Sequence, residues 1–444
     1  MGLTRLLHIS PGRTLLASIF LTIALGTLFL ALPVARTTSI PFIDILFTAT
    51  SAACVTGLFT IPISNFTTFG QCIIMVLMQI GGIGLITMML FLLSLFVDLA
   101  LATQLMAGQL LELESWKNTK KMILFIIVLT LCVELIGALF IFFSLQGNYS
   151  FLRACFISIF HSVSFFCSAG LSLFPDNMIH YSNNYLMLLT ASALMFIGGL
   201  GFITWHEILS RFSAIKNKRR HIFSLTGKIV VYGSFLITIS TTLIFWIMEH
   251  KNSLVSMNPF ASLTNSLFFA ISIRGGGFNT VDMDLLHPAT QFMMAAIALI
   301  GGAPGGTASG IKLTTLAIFL ATVRAAITNR NTVEIRKRRI AKDQIYKAIA
   351  IIFLSVSWIG FTTFCLLITE KGLSFLQIFY EVISAFATQG LSINATPFLS
   401  IFGKLFIILT MIIGRIGSLT LILALKKRTE KPEFTYPEER VMLS

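Results

Sequence analysis

Ser51-Ala-Ala-Cys-Val-Thr-Gly57-Leu58, Ser164-Phe-Phe-Cys-Ser-Ala-Gly170-Leu171, Ser272-Ile-Arg-Gly-Gly-Gly277-Phe278 and Ser384-Ala-Phe-Ala-Thr-Gln-Gly390-Leu391 are four versions of one segment. Their closing glycines are spaced by 113, 107 and 113 residues. A fixed period exposes architecture before any local reading does. Each version follows a short apolar stretch and precedes a longer one. The repeated unit is an outer helix, a short re-entrant helix with a glycine loop, and an inner helix.

Working outward, outer helices are expected near 14–31, 121–145, 227–249 and 345–369, and inner helices near 71–97, 186–209, 290–326 and 403–425. The stretches between them, 41–54, 154–167, 260–273 and 375–387, fall short of the ~20 residues that cross a bilayer. They read as re-entrant pore helices. The chain is 56% hydrophobic and 11% charged, with a mean hydropathy of +0.88. The expected fold class is all-α and polytopic, four units in a pseudo-fourfold ring around one ion pore. Unit boundaries are 1–97, 98–209, 210–326 and 327–425, with a tail at 426–444.

Charge orients the chain. Twenty-four Lys and Arg fall at the N-terminus, in 98–121, 206–228 and 324–347, and in the tail. The opposite side carries five: Arg36, Arg153, Lys251, Lys371 and Lys404. The positive-inside rule places both termini in the cytoplasm. The net charge of +14 is then a topology signal with some contact to anionic lipid, and no nucleic-acid partner is expected. A cleaved signal peptide at Leu15–Leu32 is disfavoured, because cleavage would remove the first outer helix. Six cysteines lie in membrane or pore segments with no CxxC pair and no ligand cluster, so no disulfide framework, metal site or covalently bound cofactor is expected. No Walker A motif, dinucleotide fingerprint or metalloprotease helix is present.

Units with two spanning helices share one orientation, which favours a pore over the inverted repeats of many carriers. Four glycine loops around an axis can present backbone carbonyls to a cation. Glycine accepts the positive φ that such a loop demands. The filter residues are therefore Val55, Thr56 and Gly57; Ser168, Ala169 and Gly170; Gly275, Gly276 and Gly277; Thr388, Gln389 and Gly390. The bland alternative makes these glycines ordinary turn or packing residues, and fourfold recurrence argues against it. Asp44 suits the positive end of the first pore helix. Glu381 lies inside the fourth and needs a partner. His161 reads as a packed pore-helix histidine.

The inner helices carry Ile80-Gly81-Gly82, Ile197-Gly198-Gly199, Ile300-Gly301-Gly302 and Ile413-Gly414-Arg415. The last positions follow the filter glycines by 25, 29, 25 and 25 residues. Arg415 thus stands where the other units have glycine, and an intramembrane charge is a functional hypothesis by default. Pairing with a buried acid such as Glu381 is the structural alternative. The third inner helix breaks at Gly301-Gly-Ala-Pro-Gly-Gly-Thr-Ala-Ser-Gly-Ile-Lys312. Proline and glycine exclude a continuous helix there, and irregular backbone at membrane depth must be buried or line water. Gly305, Gly306, Thr307, Ala308, Ser309, Gly310 and Lys312, with Arg415, form a candidate gate. A phosphate loop is the weaker reading, since no strand precedes it.

The four loops, the Arg274–Thr280 filter, the broken third inner helix and Arg415 together resemble the Trk/Ktr/HKT superfamily of potassium transporters, most of all its Ktr membrane subunits. The resemblance spans nearly the whole chain. The Trk branch usually has an additional N-terminal helix pair, and this chain starts directly with the first repeat. It implies potassium as the transported ion, sodium as an activating or coupling ion, and location in a bacterial plasma membrane. It implies a homodimer on a cytosolic ring of nucleotide-binding KtrA-type subunits. Gly57 resembles the potassium-selective pattern; sodium-preferring relatives carry serine there. Gly275 and Gly276 replace the Thr-Ala common in the family, so a softer third loop is expected. Two alternatives remain open: a sodium-permeable or sodium/potassium cotransporting relative, and a polytopic membrane enzyme. The second lacks a visible acid–base, nucleophile or metal set.

Overall fold

The computed structural model describes residues 11–84, 119–216 and 223–417. The first unit comprises α1 (Pro11–Leu30), α2 (Phe42–Cys54) and α3 (Thr68–Ile83). The second comprises α4 (Thr119–Ser144), α5 (Phe151–Cys167), α6 (Tyr185–Gly199) and α7 (Phe202–Lys216). The third has α8 (Leu225–Glu249), α9 (Pro259–Ser272), α10 (Pro288–Ala298) and α11 (Leu313–Ile327). The fourth has α12 (Lys342–Thr369), α13 (Phe375–Ala387) and α14 (Ile401–Ile416). A small antiparallel hairpin, β1 (Glu334–Ile335) and β2 (Arg338–Arg339), joins α11 to α12, with Glu334 opposite Arg339.

Among the described helices, Lys121–Ser144, Leu225–Glu249 and Lys342–Thr369 are long and apolar enough to cross a membrane unbroken. Their outward faces expose large apolar side chains such as Leu135, Leu236 and Phe364. That arrangement suits lipid, since water penalises a contiguous apolar face. The expected extensions 85–97 and 418–425 of the first and fourth inner helices lie outside the described residues, as do the basic segments 98–118 and 217–222 and the tail.

One expectation is corrected. The second inner helix does not run straight over 186–209. It breaks between Gly199 and Phe202, and its halves bend by 95°. Gly201 at φ +80° makes the turn.

Local signals set the helix starts. Thr67, Asn184 and Ser400 cap α3, α6 and α14 by accepting from Gly70, Met187 and Gly403 N–H groups. Asn258 caps α9 with Pro259 in its first turn, and Ser374 and Gln377 form a capping box on α13. A 3₁₀ turn precedes the inner helix in every unit, at 63–65, 179–181, 283–285 and 396–398.

The packing order is cyclic. Helix α3 packs on α5, α6 on α9, α10 on α13, and α14 closes the ring on α2. Every inner helix thus supports the pore helix of the next unit. Gly81, Gly198 and Gly414 allow close approach within a unit: a Cβ there would run into the carbonyls of Ala53, Phe166 and Phe386 respectively.

Candidate functional site

The four pore helices end together at the centre of the ring. Val55, Ser168 and Thr388 follow α2, α5 and α13 with φ of 55°, 57° and 48°. Left-handed backbone is rare for β-branched residues such as valine and threonine, and such strain gathers at functional sites. Hydrogen bonds hold it. Ser51, Ser164 and Ser384 carbonyls accept from the N–H groups of Thr56, Ala169 and Gln389, each at 2.8 Å. The third loop differs. Ile273 stays right-handed and the turn is made at Gly275, with φ +132°.

The four closing glycines form one ring. All have positive φ: 97° at Gly57, 67° at Gly170, 75° at Gly277 and 90° at Gly390. A Cβ on Gly57 would lie 2.7 Å from the Gly170 Cα, and one on Gly170 would lie 3.0 Å from Gly277 Cα. One on Gly277 would lie 2.6 Å from the Gln389 carbonyl oxygen, and one on Gly390 would lie 2.9 Å from Gly57 Cα. The loop closes on itself in the order 57, 170, 277, 390. A Cβ at any of the four would press on the backbone of a neighbouring loop, so only glycine fits these positions. Gly275 and Gly276, the pair behind the expected softer loop, have no room for a side chain. Cβ atoms there would sit 2.7 Å from Ala308 Cβ and Ser272 Cα respectively.

The first residue of each quoted segment has a role that sequence reading missed. Ser51 and Ser384 hydroxyls accept from the N–H groups of Gly57 and Gly390 at 3.0 and 3.1 Å. Ser272 donates to the Phe278 carbonyl and accepts from its N–H, at 2.6 and 2.8 Å. Ser164 donates to the Leu171 carbonyl at 2.7 Å. All four are buried and brace the segment leaving each loop. The signal was present as the serine common to the four segments. Tyr380 and Gln389 add a buried side-chain pair behind the fourth loop.

The broken third inner helix lies directly below. Gly301 N–H donates to Ile311 O and Ile311 N–H to Leu299 O, closing the base of the loop. Ala303 and Thr307 N–H groups donate to the Gly199 and Gly198 carbonyls, at 3.1 and 3.3 Å. Those acceptors lie at the break between α6 and α7. Two helix interruptions therefore satisfy each other's backbone groups, as backbone away from water requires. Three cationic side chains bind loop carbonyls: Arg274 at Gly301, 3.3 Å; Lys312 at Ala308, 2.8 Å; and Arg415 at Thr307, 2.6 Å. Arg415 also reaches Ser309 Oγ at 3.1 Å and the Gly81 carbonyl.

Glu381 does not pair with Arg415. Its carboxylate accepts from Ser392 and Thr396 instead. Asp44 is held by Lys404 at 2.6 Å, which joins the first pore helix to α14. His161 is buried, stacks on Phe174 and contacts Ser172 Oγ at 3.1 Å, in keeping with a packed histidine. Glu134 accepts from Gln79 at 3.0 Å. On the other side of the glycine ring a cavity of 310 Å³ opens, lined among others by Asp176, Asn177, Asp282, Ser392 and Gly390. Sequence reading missed both acids, although they stand at similar distances beyond Gly170 and Gly277. Among the described residues no group of three or more His, Cys, Asp or Glu could hold a metal ion.

Residues 21–435 match TrkH, a family described as cation transport proteins. The chain belongs to the TrkH family. It is 34% identical over 436 residues to the Ktr system potassium uptake protein B of Bacillus subtilis, covering 97% of this chain and 96% of that protein. It is 32% identical to the potassium/sodium uptake protein NtpJ of Enterococcus hirae, covering 98% of both. The crystal structure of the potassium transporter TrkH from Vibrio parahaemolyticus superposes with a TM-score of 0.75 at 17% identity, covering 94% of this chain and 86% of that one. That likeness carries the fold: an all-α polytopic membrane protein. Membership in the TrkH family makes the chain a cation transporter, and the enzyme alternative falls.

Proposed function

We propose that this TrkH-family chain takes up potassium across the plasma membrane through a filter of backbone carbonyls at 55–57, 168–170, 275–277 and 388–390. The closed ring of Gly57, Gly170, Gly277 and Gly390 carries the reading. Four converging loops can replace an ion's hydration shell with carbonyl oxygens. The outer cavity with Asp176 and Asp282 adds negative potential where cations enter. The C-terminal ends of four pore helices, aimed at the space below, add more.

Residues 303–312 and Arg415 form the gate. The loop packs directly beneath the ring, and three cations fasten its carbonyls. Repeats at 1–97, 98–209, 210–326 and 327–425, with a tail at 426–444, describe the chain as four gated quarters. The 24-to-5 charge bias supports cytoplasmic termini. A homodimer on a nucleotide-binding KtrA-type ring would supply the force that moves the loop. The names of the Ktr relatives, which refer to a system, support a second component.

A sodium-permeable or sodium-linked mode is the second reading, favoured by the relative named as a potassium/sodium uptake protein. Potassium uptake into proteoliposomes, with sodium and membrane potential varied independently, separates the two. Potassium flux that persists without sodium and follows the potential supports the channel-like reading. Flux that requires sodium in fixed proportion supports coupling, and no potassium flux under any condition overturns both.

A further inference from the structure

The gate and the filter touch. The Ser168 hydroxyl, at the innermost position of the second loop, lies 3.2 Å from the Thr307 hydroxyl. Ser168 is 3% exposed and Thr307 is fully buried. Thr307 is also the residue whose carbonyl accepts from Arg415. The next residue, Ala308, packs on Gly275, the innermost position of the third loop, closely enough that a Cβ on Gly275 would sit 2.7 Å away.

The remaining two quarters are reached by the same assembly. A Cβ on Gly310 would lie 3.5 Å from Ala387, the residue before Thr388. Gly81, whose carbonyl also accepts from Arg415, abuts Val55: a Cβ there would lie 2.6 Å from Val55 Cγ2. The innermost layer of the filter is Val55, Ser168, Gly275 and Thr388. The loop therefore meets that layer, or the residue beside it, on three sides, and Arg415 reaches the fourth, Val55, through Gly81.

We infer that residues 307–310 with Arg415 and the innermost filter layer are one mechanical unit, so that the innermost ion site changes its selectivity when the gate moves. The inference rests on the filter and gate reading above. Three of the four innermost residues hold left-handed backbone, and the fourth is a glycine at φ +132°. Such backbone persists only where its surroundings over-determine it. Withdrawing the loop removes the partner of Ser168 and the packing of Gly275 together. Thr307 then becomes a positioning residue for selectivity, although it lies outside the filter sequence.

The test is a double-mutant cycle in the full chain: Ser168→Ala, Thr307→Val and the double variant, with Gly57→Ser as a reference. Initial K⁺ and Na⁺ uptake are measured per folded protein in proteoliposomes, and their ratio is the readout. Thr307→Val should shift the ratio roughly fivefold, the effect of losing about one neutral hydrogen bond. Ser168→Ala should shift it in the same direction, and the double variant should match a single variant and not the product of the two. Thr307→Val that alters the rate but leaves the ratio untouched overturns the coupling, as does a multiplicative double variant. The Gly57→Ser reference separates the failures. A shifted reference ratio with an unshifted Thr307→Val ratio removes only the coupling, whereas two unshifted ratios remove the filter assignment as well.

Discussion

Arg415 and Thr307, 108 residues apart in the chain, meet through a 2.6 Å hydrogen bond from the guanidinium Nη1 to the backbone carbonyl. The same nitrogen reaches Ser309 Oγ, and Nη2 reaches Gly81 O. One side chain from the fourth inner helix therefore joins the 301–312 loop to the first inner helix. Among the described residues the acceptors it reaches, Thr307 O, Ser309 Oγ and Gly81 O, are all neutral. A cation at about 6 Å would be repelled by roughly 3 kcal/mol at an effective dielectric near 20.

Arg415→Gln should raise initial potassium uptake by roughly tenfold, through loss of charge-assisted hydrogen bonds and of that repulsion. Uptake per folded protein and thermal stability are measured on the same sample. Lower uptake together with a lower Tm would make Arg415 a folding residue instead.

Removing residues 305–309 should raise flux and weaken its dependence on the cytosolic partner. The loop's base survives such a deletion, since Gly301–Ile311 and Ile311–Leu299 hydrogen bonds lie outside it. Uptake with and without the partner ring and its nucleotide checks this. Flux that stays low and regulated in a folded deletion variant would clear the loop of a gating role.

Ser51→Ala and Ser384→Ala should each relax selectivity while leaving the fold intact. Each leaves a buried filter N–H without its acceptor, a loss of about 1–3 kcal/mol. The K⁺/Na⁺ uptake ratio should fall in both variants. The matched thermal shift should stay within a few degrees, because the rest of the pore-helix packing is unchanged. An unaltered ratio would reduce the serines to ordinary helix residues.

The period of the four glycines carried most of the fold. Apolar run lengths placed the pore helices within a few residues, because a stretch such as Phe42–Cys54 is too short to span and too apolar for water. The α6–α7 break was not legible. Gly198, Gly199 and Gly201 marked it, but a glycine cluster in a membrane helix reads equally well as close packing. Its cause is tertiary: Ala303 and Thr307, a hundred residues later, need the carbonyls that the break frees. The partner of Glu381 was hidden for the same reason. Ser392 follows the fourth loop and Thr396 opens the 3₁₀ turn at 396–398, and only the chain's return past the loop brings them near. The position of Arg415 was readable from the repeat, whereas its contact with Thr307 required the folded loop.

Labelling checks the orientation. Lys337 is exposed on the hairpin between α11 and α12. A cysteine introduced there should react with an impermeant maleimide only from the cytoplasmic side, as the charge bias requires. Reaction from outside in intact cells would invert the topology.

Anomalous diffraction from crystals grown in Rb⁺ or Tl⁺ tests the central claim most directly. These ions substitute for potassium and scatter strongly. The account predicts peaks on the axis enclosed by Gly57, Gly170, Gly277 and Gly390, coordinated by carbonyls of residues 55–57, 168–170, 275–277 and 388–390. Ordered heavy cations elsewhere in the membrane region, with no peak on that axis, would contradict it.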